Sequence, residues 1–163
     1  MMEYREATTA DLDRLWDKNI ARNPEDERWV RWKKEYMDYN ARGQAKTFAI
    51  VCDGEPVGEG TLLLDPQCKA VGGRLTLADG IGTANVNALR IEKAYEGQGH
   101  ISHMMACLEQ YARECGCHEL TIGVEARETR NLAIYLHWGY CRFVESCVED
   151  EELVLYYAKK LDS

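Results

Sequence analysis

The chain has 163 residues, is 45% hydrophobic and carries a net charge of −8. That length buries about two-thirds of an unfolded chain's surface in one globular domain, and a single domain over residues 1–163 is expected. The acid excess argues against a nucleic-acid partner, which needs a basic face, and suits an amine-bearing small molecule.

In chain order, residues 2–6 read as a strand. Thr8 or Thr9 can cap a helix that shows Leu12, Leu15, Trp16 and Ile20 at helical spacing. Asn23-Pro24 breaks it, and Pro24 suits the first turn of the next helix, about 25–41, closed by Gly43. "TFAIVCD" and "EPVGEGTLLL" are strands joined by Asp53-Gly54, a strong hairpin signal. Residues 65–83 form a long glycine-rich loop with a short strand at 74–78; loops of this length are usually functional or mobile. A strand over 85–91 and a loop over 92–99 lead into a helix over 100–115. There Ile101, Met104, Met105, Leu108, Tyr111, Ala112 and Cys115 share one face. "ELTIGVE", "ETRNLAIYLHW", "YCRFVESCV" and "EELVLYYAKKL" then read as strand, helix, strand and strand. The alternation predicts parallel pairing through a right-handed crossover, while the first half is hairpin-like. The expected fold is therefore α/β (α+β). It has a mixed, mostly antiparallel sheet of six to seven strands and about four flanking helices.

Other features exclude more than they assign. No apolar run reaches the roughly 18 residues of a membrane helix. The opening "MMEYREATTADLDRLW" has no apolar signal core, so a cytoplasmic protein with no membrane partner is expected. The seven cysteines are odd in number and irregular in spacing, and Cys115-x-Cys117 is not a C-x-x-C site. They read as small buried hydrophobes and free thiols, with no metal.

The chemistry concentrates in "YEGQGHIS", Tyr95 to Ser102. A glycine turn entering a helix leaves N–H groups unpaired at the positive end of the helix dipole, which suits phosphate. Gly97 and Gly99 can adopt positive φ and admit a ligand close to the backbone. No Gly-Lys-Ser/Thr follows, so it is not a Walker loop, and no third glycine makes a dinucleotide fingerprint.

"LRIEKAYEGQGHISHMMACLEQYA" resembles the acetyl-coenzyme A motif of the GNAT superfamily of N-acetyltransferases. That motif has the form Arg/Gln-x-x-Gly-x-Gly/Ala opening a helix. Glu96 stands at its first position, Gly99 at the central glycine and Ile101 at the final small residue. Glu96 and Ile101 are departures; Ile101 is in register with Met104, Met105 and Leu108 and is expected to turn inward. "NLAIYLHWGY" is similar to the family's later helix through Asn131, Tyr135, Gly139 and Tyr140. The resemblance is specific over about 85–147.

The resemblance implies acetyl-CoA as cofactor and transfer of an acetyl group to a primary amine of a small molecule or peptide. It also implies a sheet splayed at its centre, with a bulge in the 85–91 strand where it parts from 119–125. Backbone groups of Leu89, Arg90 and Ile91 would pair with the pantetheine arm. Glu96, Gly97, Gln98, Gly99, His100, Ile101 and Ser102 would form the pyrophosphate loop. Asn131 would hydrogen-bond the arm, and Tyr135 would protonate the departing thiolate. Glu125 is a candidate base, or else a surface partner of Arg127 or Arg130; Asn87 could hold a water instead. The acceptor site implied between the first two helices and the sheet makes Trp29, Trp32 and Tyr36 candidates. Plain core or a homodimer face is the alternative for these aromatics. The competing function is a non-catalytic acyl-CoA-binding module.

Overall fold

The computed structural model describes residues 1–162. The strands are β1 (Met2–Glu6), β2 (Ala45–Cys52), β3 (Glu55–Leu63), β4 (Thr83–Ile91), β5 (Glu119–Glu125), β6 (Arg142–Glu149) and β7 (Glu152–Lys160). The helices are α1 (Thr9–Arg22), α2 (Arg28–Ala41), α3 (His100–Glu114) and α4 (Thr129–His137), with a 3-10 turn at Lys93–Tyr95. The seven strands form one mixed sheet in the order β1-β2-β3-β4-β5-β7-β6. The chain divides into two compact units, residues 1–62 with 88–108, and residues 63–87 with 109 onward.

In the first unit, Thr8 and Asp11 close a capping box on α1. The Asp11 amide donates to Thr8 Oγ1 and the Thr8 amide to Asp11 Oδ2, both at 3.0 Å. Leu15 then packs on Ala49 and Val51 of β2. Asp53 (φ 49°) and Gly54 (φ 83°) are both left-handed, the backbone that a two-residue β2–β3 hairpin turn needs. Helix α2 begins at Arg28, not at 25, and Pro24 lies in a turn before it. The reason is local: the Asp26 carboxylate takes the Arg28 amide at 3.1 Å and its guanidinium at 2.9 Å. That guanidinium contact holds the Asp26 carboxyl down at about 2.

Strand β3 alternates by face, as the pleat requires. Glu59 turns to the α1 side. Gly60 turns to α3, where an added Cβ would meet Leu108 Cδ1 at 2.9 Å, Leu89 Cδ1 at 3.0 Å and Met104 Cγ at 3.1 Å. The missing side chain at Gly60 is what lets the buried Met104 and Leu108 face of α3 lie flat on the sheet.

In the second unit, β4 and β5 are parallel from Thr83↔Glu119 to Val86↔Ile122. The expected parallel neighbourhood of β5 and β6 is corrected: β7 lies between them and is antiparallel to both. A tight turn at Asp150-Glu151 folds β7 back from β6, and β7 then offers its other edge to β5. The expected strand at 74–78 is a series of turns. Leu77 and Ala78 return their amides to Arg74 O at 2.9 and 3.3 Å, so they have none to give a sheet. Asp79 Oδ1 accepts the amides of Ile81, Gly82 and Thr83, each at 2.9 Å. The Arg74 guanidinium lies over the Tyr156 ring at 5.0 Å. The long loop is therefore tied down through most of its length.

Gly60→Ala should cost about 1–3 kcal/mol by overpacking this face. A urea unfolding midpoint equal to wild type would show that α3 can shift away without loss.

Candidate active site

Strand β4 changes character at Ala88. Its ladder with β5 is recorded as far as Val86, and Ala88 has φ 51°, a left-handed conformation costing an alanine roughly 1–2 kcal/mol. Such a residue in mid-strand is the kink of a bulge. Beyond it Leu89, Arg90 and Ile91 are half-buried, and the Glu92 amide returns to Val57 O at 2.9 Å. The 3-10 turn then delivers the chain to Gly97 (φ 72°) and Gly99 (φ 86°), with nothing within 4 Å of where either Cβ would stand. Residues 96–99 are exposed.

Helix α3 starts at His100, and the first backbone bond back into its turn is His103 N to Gly99 O at 3.1 Å. The amides ahead of it lack an intrahelical partner by construction. The first turn of α3 holds no acidic residue. Two histidines fix this end. His100 Nδ1 lies 2.6 Å from the Tyr4 hydroxyl, and the Tyr4 ring stacks on His103 with centroids 3.8 Å apart. Ile101 is half-buried, beside the fully buried Met104 and Met105. An open, acid-free helix start preceded by two left-handed glycines fits a pyrophosphate held on main-chain N–H groups.

The second unit carries the remaining candidates. Tyr135 is half-buried on α4, its ring 5.9 Å from Trp138. Burial, and then the Glu128 carboxylate, raise its phenol above the usual 10, so it holds its proton across the neutral range. Asn131, one turn earlier and exposed, donates to Glu128 Oε2 at 3.3 Å. Glu125 accepts from Arg127 Nη2 at 3.5 Å. Asn87 Nδ2 reaches Asn85 Oδ1 at 3.4 Å, and Asn85 in turn donates to Thr121 at 3.0 Å.

In the first unit the expected aromatics do gather, but around a residue whose side chain the sequence did not single out. Trp29 and Trp32 are in edge contact at 5.0 Å, while Tyr36 is fully buried against Trp16 at 5.1 Å. The Arg90 guanidinium lies over both Trp16 (5.0 Å) and Trp29 (5.1 Å). Its Nε donates to Glu59 Oε2 at 3.3 Å, and Asn19 Nδ2 donates to the same oxygen at 2.8 Å. Glu59 was missed, although an acid between two glycines in a mostly buried strand was a readable signal.

The acetyltransferase (GNAT) family model matches residues 8–140. The chain belongs to that family. Acetyl transfer is the family's general chemistry, and acetyl-CoA is the cofactor. Among solved structures, the chain is similar to the Salmonella typhimurium protein yncA, solved with its cofactor acetyl-CoA. The identity is 14%, the TM-score 0.72, and 100% of this chain and 95% of that one are covered. It is also similar to an N-acetyltransferase from Staphylococcus aureus Mu50 (13% identity, TM-score 0.70, 99% of each chain). A third is RimL, a ribosomal L7/L12 alpha-N-protein acetyltransferase in complex with coenzyme A (19% identity, TM-score 0.68, 99% and 94% covered). These likenesses carry the GNAT fold. No curated protein sequence matches.

Burial raises Tyr135, Tyr140 and Tyr156 together above 10. The folded chain then holds phenol protons that the unfolded chain releases, so stability is full below about pH 10 and falls as pH rises past it. Melting temperatures across that range should decline. A flat profile to about pH 11 would show the phenols to be solvated.

Proposed function

We propose that the chain, acting as a single domain, is an acetyl-CoA-dependent N-acetyltransferase that modifies a primary amine of a small molecule or peptide. The observation that carries this reading is the continuous run from the Ala88 kink through Gly97 and Gly99 to the acid-free start of α3. In this reading the main chain of Leu89, Arg90 and Ile91 pairs with the amide-bearing arm of the cofactor as an added strand would. The amides from Gly97 to Ser102 take the pyrophosphate. Gln98 is exposed and follows the backbone, and Glu96 points to solvent.

Bound acetyl-CoA supplies an acyl carbon activated as a thioester. The amine forms the new C–N bond as the C–S bond breaks, and Tyr135 donates its proton to the departing thiolate. A phenol raised by burial carries at neutral pH the proton that this step needs. Asn131 sits one helical turn away to hold the cofactor arm. Removal of the amine's proton falls to Glu125, or to a water held by Asn87. Glu125 contacts Arg127 Nη2 at 3.5 Å. RimL's activity on a protein α-amine supports a peptide amine as one acceptor class.

The same Arg127–Glu125 contact, with Glu96 and Ile101 at the loop, favours a second reading, a non-catalytic acyl-CoA-binding module. Two measurements decide. Acetyl-CoA at about 100 times Kd should stabilise the fold by about 2.7 kcal/mol, and no thermal shift would remove both readings. With an amine panel, Tyr135→Phe should lower kcat by about 10- to 100-fold while the cofactor-induced shift persists. Stabilisation by acetyl-CoA without thiol release from any amine would select the non-catalytic module.

A further inference from the structure

In the cofactor reading the first amides of α3 must stay free for a ligand. Gly99 precedes the helix and has no side chain to cap them, and Gly97 and Gly99 give this stretch wide conformational freedom. A helix start of this kind frays unless something holds it from the side.

Tyr4 supplies that hold. It lies within β1, paired with Ile50 of β2, and its ring reaches both histidines of the first turn of α3. Its hydroxyl is 2.6 Å from His100 Nδ1, and its ring stacks on His103 with centroids 3.8 Å apart and planes 4° from parallel. Residues 100 and 103 are neighbours on one helix face, so a single ring anchored in the sheet spans the turn.

The neighbours of His100 decide which nitrogen carries the proton. Ala94 O takes the Gln98 side-chain N–H at 3.3 Å, which turns Gln98 Oε1 toward His100 Nε2 at 3.4 Å. An oxygen there calls for a hydrogen on Nε2, so in the neutral ring Nδ1 accepts and Tyr4 donates. Burial, and then Cys107, raises the Tyr4 phenol above its usual 10, so it has the proton to give. The same imidazole thus ties Gln98, the residue between the two glycines, to β1. These contacts use none of the main-chain N–H groups from Gly97 to Ser102.

We propose that Tyr4 is a positioning residue of the phosphate site: through His100 and His103 it keeps the first turn of α3 wound, so that acetyl-CoA meets amides already in place. This role rests on the cofactor reading above and extends it to a residue outside the loop. Order present before binding is not charged against affinity.

Tyr4→Phe is the informative change, because it keeps the ring on His103 and deletes only the hydroxyl. With acetyl-CoA as donor, KM should rise about three- to tenfold, the weight of one side-chain hydrogen bond, with kcat kept. Acetyl-pantetheine, a donor without the pyrophosphate, should show no such rise. In the free protein, amide exchange should quicken at His103, whose bond to Gly99 closes the first turn, and stay as in wild type beyond Leu108. His100→Ala should raise KM for acetyl-CoA similarly, and adding Tyr4→Phe to it should cost little more, because both act through one bond. An equal rise for both donors, fully additive losses in the double variant, or unchanged exchange at His103 would overturn the role and leave Tyr4 a packing residue. Quickened exchange at His103 in a protein that acetyl-CoA does not stabilise would uphold the hold on the turn and sink the cofactor reading instead.

Discussion

The left-handed backbone at Ala88 is the constraint from which the candidate site follows. A regular β4 would commit every amide to its ladders. The kink follows the end of the ladder toward β5 part-way along the strand, at a conformational cost that a glycine would largely avoid. Strain of this kind persists only where the surroundings over-determine it. Here β4 is held before the kink by its pairing with β5, and after it by the Glu92 amide on Val57 and by the Arg90 side chain on Glu59. The chain then has a fixed course into the glycine turn and the open end of α3.

An acidic protein that uses an anionic cofactor poses an electrostatic problem, and the local structure answers it without lysines. The helix start carries partial positive charge from its own peptide groups, and its first turn contains no acid. Glu96 stands outside, exposed. The net charge of −8 is a property of the remaining surface and does not decide what this end binds. Formal charge counted along a sequence is a poor guide wherever the main chain does the holding.

Local signals in the sequence were legible because their physics is local. Thr8 with Asp11, Asp53-Gly54, Gly97-x-Gly99 and the apolar face of α3 each fix geometry within a few residues. What escaped depends on partners far along the chain. Alanine gives no hint of a left-handed φ, so Ala88 was legible only through a family resemblance. Glu59 Oε2 is bonded by Asn19, 40 residues earlier, and by Arg90, 31 residues later. The 74–78 segment has the alternation of a strand, but the Arg74 carbonyl draws the amides of Leu77 and Ala78 into turns. The place of β7 between β5 and β6 is a matter of sheet order, which chain order does not encode.

The proposed cofactor binding rests on backbone amides in two short stretches. Amide hydrogen exchange with and without acetyl-CoA tests it most directly. Protection should rise at Leu89 and Ile91 and from Gly97 to Ser102, with little change in β1 or β2. Unchanged exchange at these amides in saturating acetyl-CoA, or protection gained only elsewhere, would contradict it.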